Sequence, residues 1–194
     1  MTEALIVIDM QESFRARPLW ETTDNPDVIQ NVRRLVDAAR NAGKIVIWFL
    51  HSEPGTGGVF DPASGFVRLM EELVPADGEP VLTKVVHNAF TGTDLQHRLT
   101  VAGVRGVTVC GLRTEQCVET TARVASDLGY DVTFVTDATA THPIPHRDAP
   151  EDQTVAELLA DPRTLSAADV VARTEYALAG RFATIKTVAE VEKE

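Results

Sequence analysis

The sequence predicts a three-layer α/β/α domain built on a parallel sheet, and two patterns carry that prediction. Short apolar runs such as ALIVIDM and GVTVCGL lack the polar alternation of a half-exposed strand, as expected of strands buried on both faces. Stretches with helical apolar spacing separate them, so strand and helix alternate along the chain in the manner of βαβ units.

Residues 4–10 read as the first strand, ending in Asp9, a carboxylate that hydropathy alone would not place there. Residues 11–24, with Arg15, Arg17, Pro18 and Trp20, read as an irregular loop over one end of the sheet. Asn25 and Pro26 predict an N-cap with proline at the first helical position, and Val28, Val32, Leu35, Val36 and Ala39 give that helix one apolar face as far as Gly43. Residues 44–50 form a second strand, and 51–65 a loop punctuated by proline and glycine. A short helix over 66–73, a third strand over 81–86 containing Lys84, and a helix over 93–102 closed by Gly103 follow. The strand at 106–112 turns at once into a helix. Thr114 reads as its N-cap, and Val118, Ala122, Ala125 and Leu128 recur at helical spacing until Gly129. A fifth strand spans 131–136 and stops at Asp137; THPIPHRDAP is irregular. Pro150 opens a helix to about 159, Ser166 to Asp169 reads as a capping box for a helix ending at 178, and 182–187 is the last strand before a charged, solvated VEKE end.

With 194 residues and 44% hydrophobic content, one domain over 1–194 can bury a core without disulfides or metals. A net charge of -11 repels nucleic acid and anionic membranes, leaving a small molecule as the expected partner. The N-terminus is too short and too weakly basic for a signal peptide, and no apolar run reaches membrane-spanning length, which points to the cytoplasm. Cys110 and Cys117, without a C-x-x-C motif, suit a reducing compartment, and Cys110 reads as inert core.

In an open parallel sheet the site forms outside the carboxyl ends of the strands, near the point where strand order reverses. Asp9 closes the first strand, Lys84 lies in the third, and Cys117 falls in the first turn after the fourth. At a helix N-terminus, unpaired N–H groups and the dipole favour a thiolate, so Cys117 is expected to be a better nucleophile than a free thiol at neutral pH. Each residue alone has a plain structural reading: a small buried side chain, a strand-end cap, a snorkelling lysine. Together they read as a nucleophile with its base and an orienting cation.

IDMQESF at 8–14, the K-x-x-x-N-A-F pattern at 84–90 and GLRTEQCVETTARVASDLGY at 111–130 resemble the isochorismatase-like cysteine hydrolases, a superfamily that includes nicotinamidases and N-carbamoylsarcosine amidohydrolases. The resemblance covers the chain from Ala4 to about Ala140. It implies a six-stranded parallel sheet of order 3-2-1-4-5-6 and a triad of Cys117 as nucleophile, Asp9 as proton acceptor and donor, and Lys84 as supporting cation. It also implies a cis peptide bond between Leu112 and Arg113, an oxyanion hole of the Arg113 and Cys117 backbone N–H groups, and a homodimer or homotetramer. Nicotinamidases of this kind carry a D-x-H-x-x-x-x-x-H metal site after the second strand. Here Phe49 replaces the acid, His51 remains and Gly57 replaces the second histidine, so no metal and no cofactor are expected, and nicotinamide is disfavoured as substrate. His142 and His146 lie in a proline-interrupted loop that does not set helical ligand spacing, and His87 and His97 read as surface or strand-edge residues.

Gln11, Phe14, His51 and Phe90 are the expected substrate-pocket residues, with Gln11 either bonding substrate or holding its loop. The Arg113 side chain is expected to meet a substrate carboxylate, solvent or an adjoining subunit. The loops at 55–65 and 141–150 are expected to set substrate choice. The resulting expectation is a metal-independent cysteine amidohydrolase acting on a small amide or carbamoyl compound through a thioester. The alternatives are a vinyl-ether or ester hydrolase on the same scaffold and a catalytically silent binding or regulatory domain. Isochorismatases do not need the cysteine nucleophile, so Cys117 favours amide chemistry. A receiver-like domain needs a paired acidic cluster after the first strand, which Asp9-Met10-Gln11 does not supply.

Overall fold

The computed structural model describes residues 2–193. Its strands are β1 (Thr2–Ile8), β2 (Ile45–His51), β3 (Val81–Lys84), β4 (Val104–Leu112), β5 (Asp131–Ala140) and β6 (Thr184–Lys186). All adjacent pairs are parallel and the order is β3-β2-β1-β4-β5-β6, so the chain winds outward in both directions from the β1/β4 junction. The helices are α1 (Glu12–Arg15), α2 (Val28–Asn41), α3 (Leu95–Val101), α4 (Glu119–Asp127), α5 (Val155–Ala160), α6 (Ala167–Leu178) and α7 (Val188–Val191).

The period-two geometry of a strand explains the three layers. Ala4, Ile6 and Ile8 of β1 join Phe49, Val107 and Val109 in one apolar cluster with Leu95 and Leu99 of α3, Ala122 and Ala125 of α4 and Leu178 of α6. Leu5 and Val7 point the other way and join Trp48, Cys110 and Val135 beneath Val28, Val32, Leu35, Val36 and Ala39 of α2. Both faces of β1 are therefore dry, and each fully buried Leu, Ile or Val contributes roughly 1.5–3 kcal/mol relative to exposure. Among the described residues no helix is long and apolar enough to cross a membrane.

Several local expectations give way to tertiary contacts. The loop after β1 contains α1 and a 3-10 turn over Pro18–Thr22. Helix α2 starts at Val28; the Asn25 side chain instead donates to the Asp137 and Thr139 carbonyls at 2.8 and 2.9 Å. Residues 66–73 are not helical, because Leu69 pairs with Gln11 in an antiparallel bridge. Strand β5 does not end at 136: it bulges around Asp137 and resumes, pairing Thr139 and Ala140 with Gly111 and Leu112. The helix expected from Pro150 begins at Val155, where Thr154 and Glu157 form a capping box. Leu128, at the end of α4, is 40% exposed and not part of the core. The terminal segment is not a free tail: α7 packs Val188 into the core, and Glu192 pairs with Arg34 at 2.6 Å. Glu194 lies outside the described residues.

One glycine positions everything that follows. Gly111 has φ +117°, and a Cβ built there would lie 1.9 Å from the Ile8 carbonyl oxygen. Only glycine lets β4 close on the end of β1 at this point, the place where Asp9 leaves the sheet.

Candidate active site

Asp9 follows β1 with φ +52°, a left-handed conformation that aspartate tolerates better than most residues. It is fully buried, and its N–H donates to the Phe49 carbonyl at 3.0 Å. Lys84, the last residue of β3, is in register with His51 of β2, and its side chain reaches past β2 to the end of β1. Its Nζ donates to Asp9 Oδ2 at 2.7 Å and to the Val86 carbonyl at 3.2 Å, with both side chains of the pair excluded from solvent. Asp9 Oδ1, equally buried, has no hydrogen-bond partner.

Cys117 reaches the same place from β4. The Leu112-Arg113 peptide bond is cis, and a π-helical turn over Thr114–Val118 then leads into α4. Thr114 does not cap this turn; its hydroxyl donates to Thr139 Oγ1 at 2.9 Å, fixing the turn to β5. The amides flanking Cys117, those of Gln116 and Val118, both bond the Arg113 carbonyl. Cys117 is 5% exposed, and its sulfur lies 3.7 Å from His87 Nδ1.

The electrostatics reverse one expectation. Burial pushes the Cys117 thiol up to about 12, the Asp9 charge adds to that rise, and Lys84 opposes it only in part. The helix start does not outweigh these effects, so the resting residue is a thiol and needs a base to become nucleophilic. Burial also raises the Asp9 carboxyl above its ordinary value against the opposing pull of Lys84. Cys110, on the opposite face of the sheet, is raised by burial alone.

The other expected residues separate into two groups. Gln11 is buried and its amide is fully used: Oε1 accepts from His51 N at 2.7 Å, while Nε2 donates to Ser13 Oγ and the His51 carbonyl at 2.9 and 3.1 Å. It holds the loop after β2. Phe14 meets Phe60 edge-on, Phe60 meets His51 edge-on, and His51 lies parallel to His87 with centroids 6.3 Å apart, so a row of rings leads to the cysteine. Phe90 stacks on Tyr130 in the apolar cluster that contains Cys117. Arg113 is 8% exposed and its side chain turns inward, donating to Thr141 Oγ1 at 3.3 Å and lying 2.6 Å from Glu115 Oε1.

Sequence reasoning missed His87. Its spacing of three residues from Lys84, the last residue of β3, was the available signal. Among the described residues no group of three or more His, Cys, Asp or Glu side chains is arranged to hold a metal ion. His142 Nδ1 bonds the Pro143 carbonyl and His146 lies beside Asp148, so the two loop histidines face different partners.

Comparison with known proteins agrees with this architecture. A streptothricin hydrolase of Streptomyces noursei is 33% identical over 182 residues, covering 93% of this chain and 71% of that protein. A ureidoacrylate amidohydrolase of Enterobacter sp. (strain 638) is 29% identical over 182 residues, covering 76% of each chain. A solved isochorismatase-family structure from Chromobacterium violaceum ATCC 12472 superposes with a TM-score of 0.86 at 26% identity, over 99% of this chain and 92% of the other. The sequence model of the Isochorismatase domain matches residues 3–175, from β1 into α6. A match that takes in both strand ends carrying Asp9 and Lys84 and the turn carrying Cys117 makes this chain a member of the isochorismatase family of hydrolases.

Proposed function

We propose that the protein is a metal-independent cysteine hydrolase that cleaves the C–N bond of a small amide or carbamoyl compound through a thioester. The observation that carries this reading is the unpartnered Asp9 Oδ1 in the site that also holds the Cys117 thiol, with Oδ2 anchored by Lys84 at 2.7 Å. A buried carboxylate oxygen without a donor is costly, and a thiol proton supplies one. The named activities of the streptothricin hydrolase and ureidoacrylate amidohydrolase relatives support hydrolysis of this class.

Asp9 takes the thiol proton as Sγ attacks the carbonyl carbon. The resulting oxyanion accepts from the Arg113 and Cys117 backbone N–H groups, and loss of one such donor typically costs about 2.7–4 kcal/mol of barrier. Asp9 then returns the proton to the departing nitrogen as the C–N bond breaks, leaving an acyl group on sulfur and an ionised Asp9. Lys84 stabilises the carboxylate before and after the transfer. Metal independence rests on the end of β2 and the loop that follows, where Phe49 and Gly57 leave His51 without companion ligands.

The test is a panel of small primary carboxamides and N-carbamoyl compounds, read by ammonia or amine release and by acid-quenched peptide mass spectrometry. The expected result is turnover of at least one member, an acyl adduct on the Cys117 peptide, and loss of both in Cys117→Ala. Turnover that survives Cys117→Ala overturns the proposal.

A further inference from the structure

We propose that His87 is the base that activates water in the second half of the reaction, so that Asp9 serves formation of the thioester and His87 its hydrolysis. This inference rests on Cys117 being the nucleophile. Water must reach the acyl carbon from solvent, and Asp9 is fully buried with one oxygen held by Lys84. His87 is an exposed residue whose Nδ1 nevertheless lies 3.7 Å from the Cys117 sulfur. An acyl carbon bonded to that sulfur lies within one water molecule of Nδ1, the reach a general base requires.

Two supports hold the imidazole there. Its ring lies parallel to that of His51, with an interplanar angle of 5°. His51 is itself fixed by Gln11 through its backbone and by Glu53 Oε1, 3.2 Å from Nε2. The segment after His87 is also tied to the cysteine turn by one hydroxyl: Thr121 Oγ1 accepts from Ala89 N at 3.1 Å and donates to the Cys117 carbonyl at 2.6 Å.

With its own proton on Nε2, the neutral ring presents a lone pair at Nδ1. Water gives a proton to Nδ1 as its oxygen bonds to the thioester carbon. The tetrahedral intermediate collapses, the C–S bond breaks, and its electron pair goes to Sγ. The sulfur takes the proton back from Nδ1, so the cycle ends with a free thiol, a neutral imidazole and a carboxylic acid. Asp9 is already ionised, having given its proton to the amine.

p-Nitrophenyl acetate separates the two halves, because nitrophenolate leaves without a proton donor. The wild-type protein is expected to release nitrophenolate steadily, without a burst and with little acetyl-Cys117. In His87→Gln the first turnover stays within about threefold of the wild-type rate while steady turnover falls about 10²–10⁴-fold, the usual worth of a general base, so a burst of nitrophenolate appears. Acetyl-Cys117 then accumulates in peptide mass spectra. Free imidazole added to His87→Ala restores deacylation, which a merely structural role does not predict. Acetyl-Cys117 that forms and clears equally fast in wild type and His87→Gln overturns this inference alone, as does failure of imidazole to accelerate deacylation. A wild-type protein that never acetylates Cys117 overturns the nucleophile assignment and this inference with it.

Discussion

Two buried carboxylates flank the turn that carries Cys117, and they are satisfied differently. Glu119, two residues after Cys117, is 4% exposed and has both oxygens occupied. Oε1 accepts from Arg123 Nε and a second guanidinium nitrogen at 3.0 and 2.8 Å, and Oε2 from Thr174 Oγ1 at 3.0 Å and from Arg173. Asp9 is as deeply buried and also ion-paired, yet only Oδ2 has a partner. Burial and charge are common to both groups; unused hydrogen-bonding capacity is not. Glu119 joins α4 to α6 and has nothing left to offer, whereas Asp9 keeps an unpartnered oxygen, the one that the proposed mechanism gives to the thiol proton.

Substituting each carboxylate by its amide separates the two roles. In Asp9→Asn, hydrolysis of the best carboxamide is expected to fall about 10²–10⁴-fold, because the amide cannot take the thiol proton. In Glu119→Gln, turnover per folded molecule stays within about threefold of wild type while stability falls by about 1–3 kcal/mol. The lower end is favoured because the Arg123 and Arg173 side chains are 33% and 58% exposed and water compensates for part of the loss. Calorimetry reads this as roughly 2–4 °C per kcal/mol for a chain of this size. Equal activity losses in the two variants would erase the distinction.

The same distinction extends to the thiols. Cys117 is held near 12 partly by the Asp9 charge, so its alkylation by iodoacetamide is slow at neutral pH and climbs as pH approaches that value. Removing a negative charge that opposes the thiolate lowers its pKa, so Asp9→Asn is expected to label several-fold faster at pH 9 even as it loses hydrolysis. Cys110 has no charged neighbour shifting it and stays unlabelled in the folded protein. Slower labelling in Asp9→Asn would mean that the carboxylate promotes the thiolate already at rest.

Most of the fold was legible because burial on both faces leaves a simple mark, an apolar β-branched run, on each central strand. What escaped was decided across the chain. Residues 66–73 have helical spacing but spend their backbone on Gln11, and the β5 bulge at Asp137 is held by Asn25, Asn31 and Val188. At the site, strand ends and the start of a helix pointed to Asp9, Lys84 and Cys117, and the resemblance of the three motifs supplied the roles expected of them. The state of the thiol did not follow, since a helix start is visible in sequence whereas the burial and the Asp9 charge that outweigh it arrive from elsewhere. His87 was passed over for a related reason. Its nearness to sulfur depends on the Thr121 hydroxyl bridging two distant segments.

The smallest expected effect concerns a third carboxylate, far from the cysteine, that belongs with Glu119. Glu79 Oε1 accepts from Arg40 Nε at 2.7 Å, and Oε2 accepts from Arg40, Trp48 Nε1 and Ala76 N at 2.8, 2.8 and 3.0 Å. Burial alone would raise this carboxyl, but the donors from Arg40, Ala76 and Trp48 prevail and hold it at about 2. Its folded value thus lies below its unfolded one, and the stability it adds is complete above the unfolded pKa and is lost as pH falls through about 2. With screening by the partly exposed arginine, that contribution is about 1–2 kcal/mol. Thermal unfolding from pH 7 to pH 2 should therefore fall more steeply for wild type than for Glu79→Gln, which starts lower and converges on it in acid. Parallel curves would show that Glu79 is not titrating against its donors, and that a fully occupied carboxylate is not enough to mark a structural anchor.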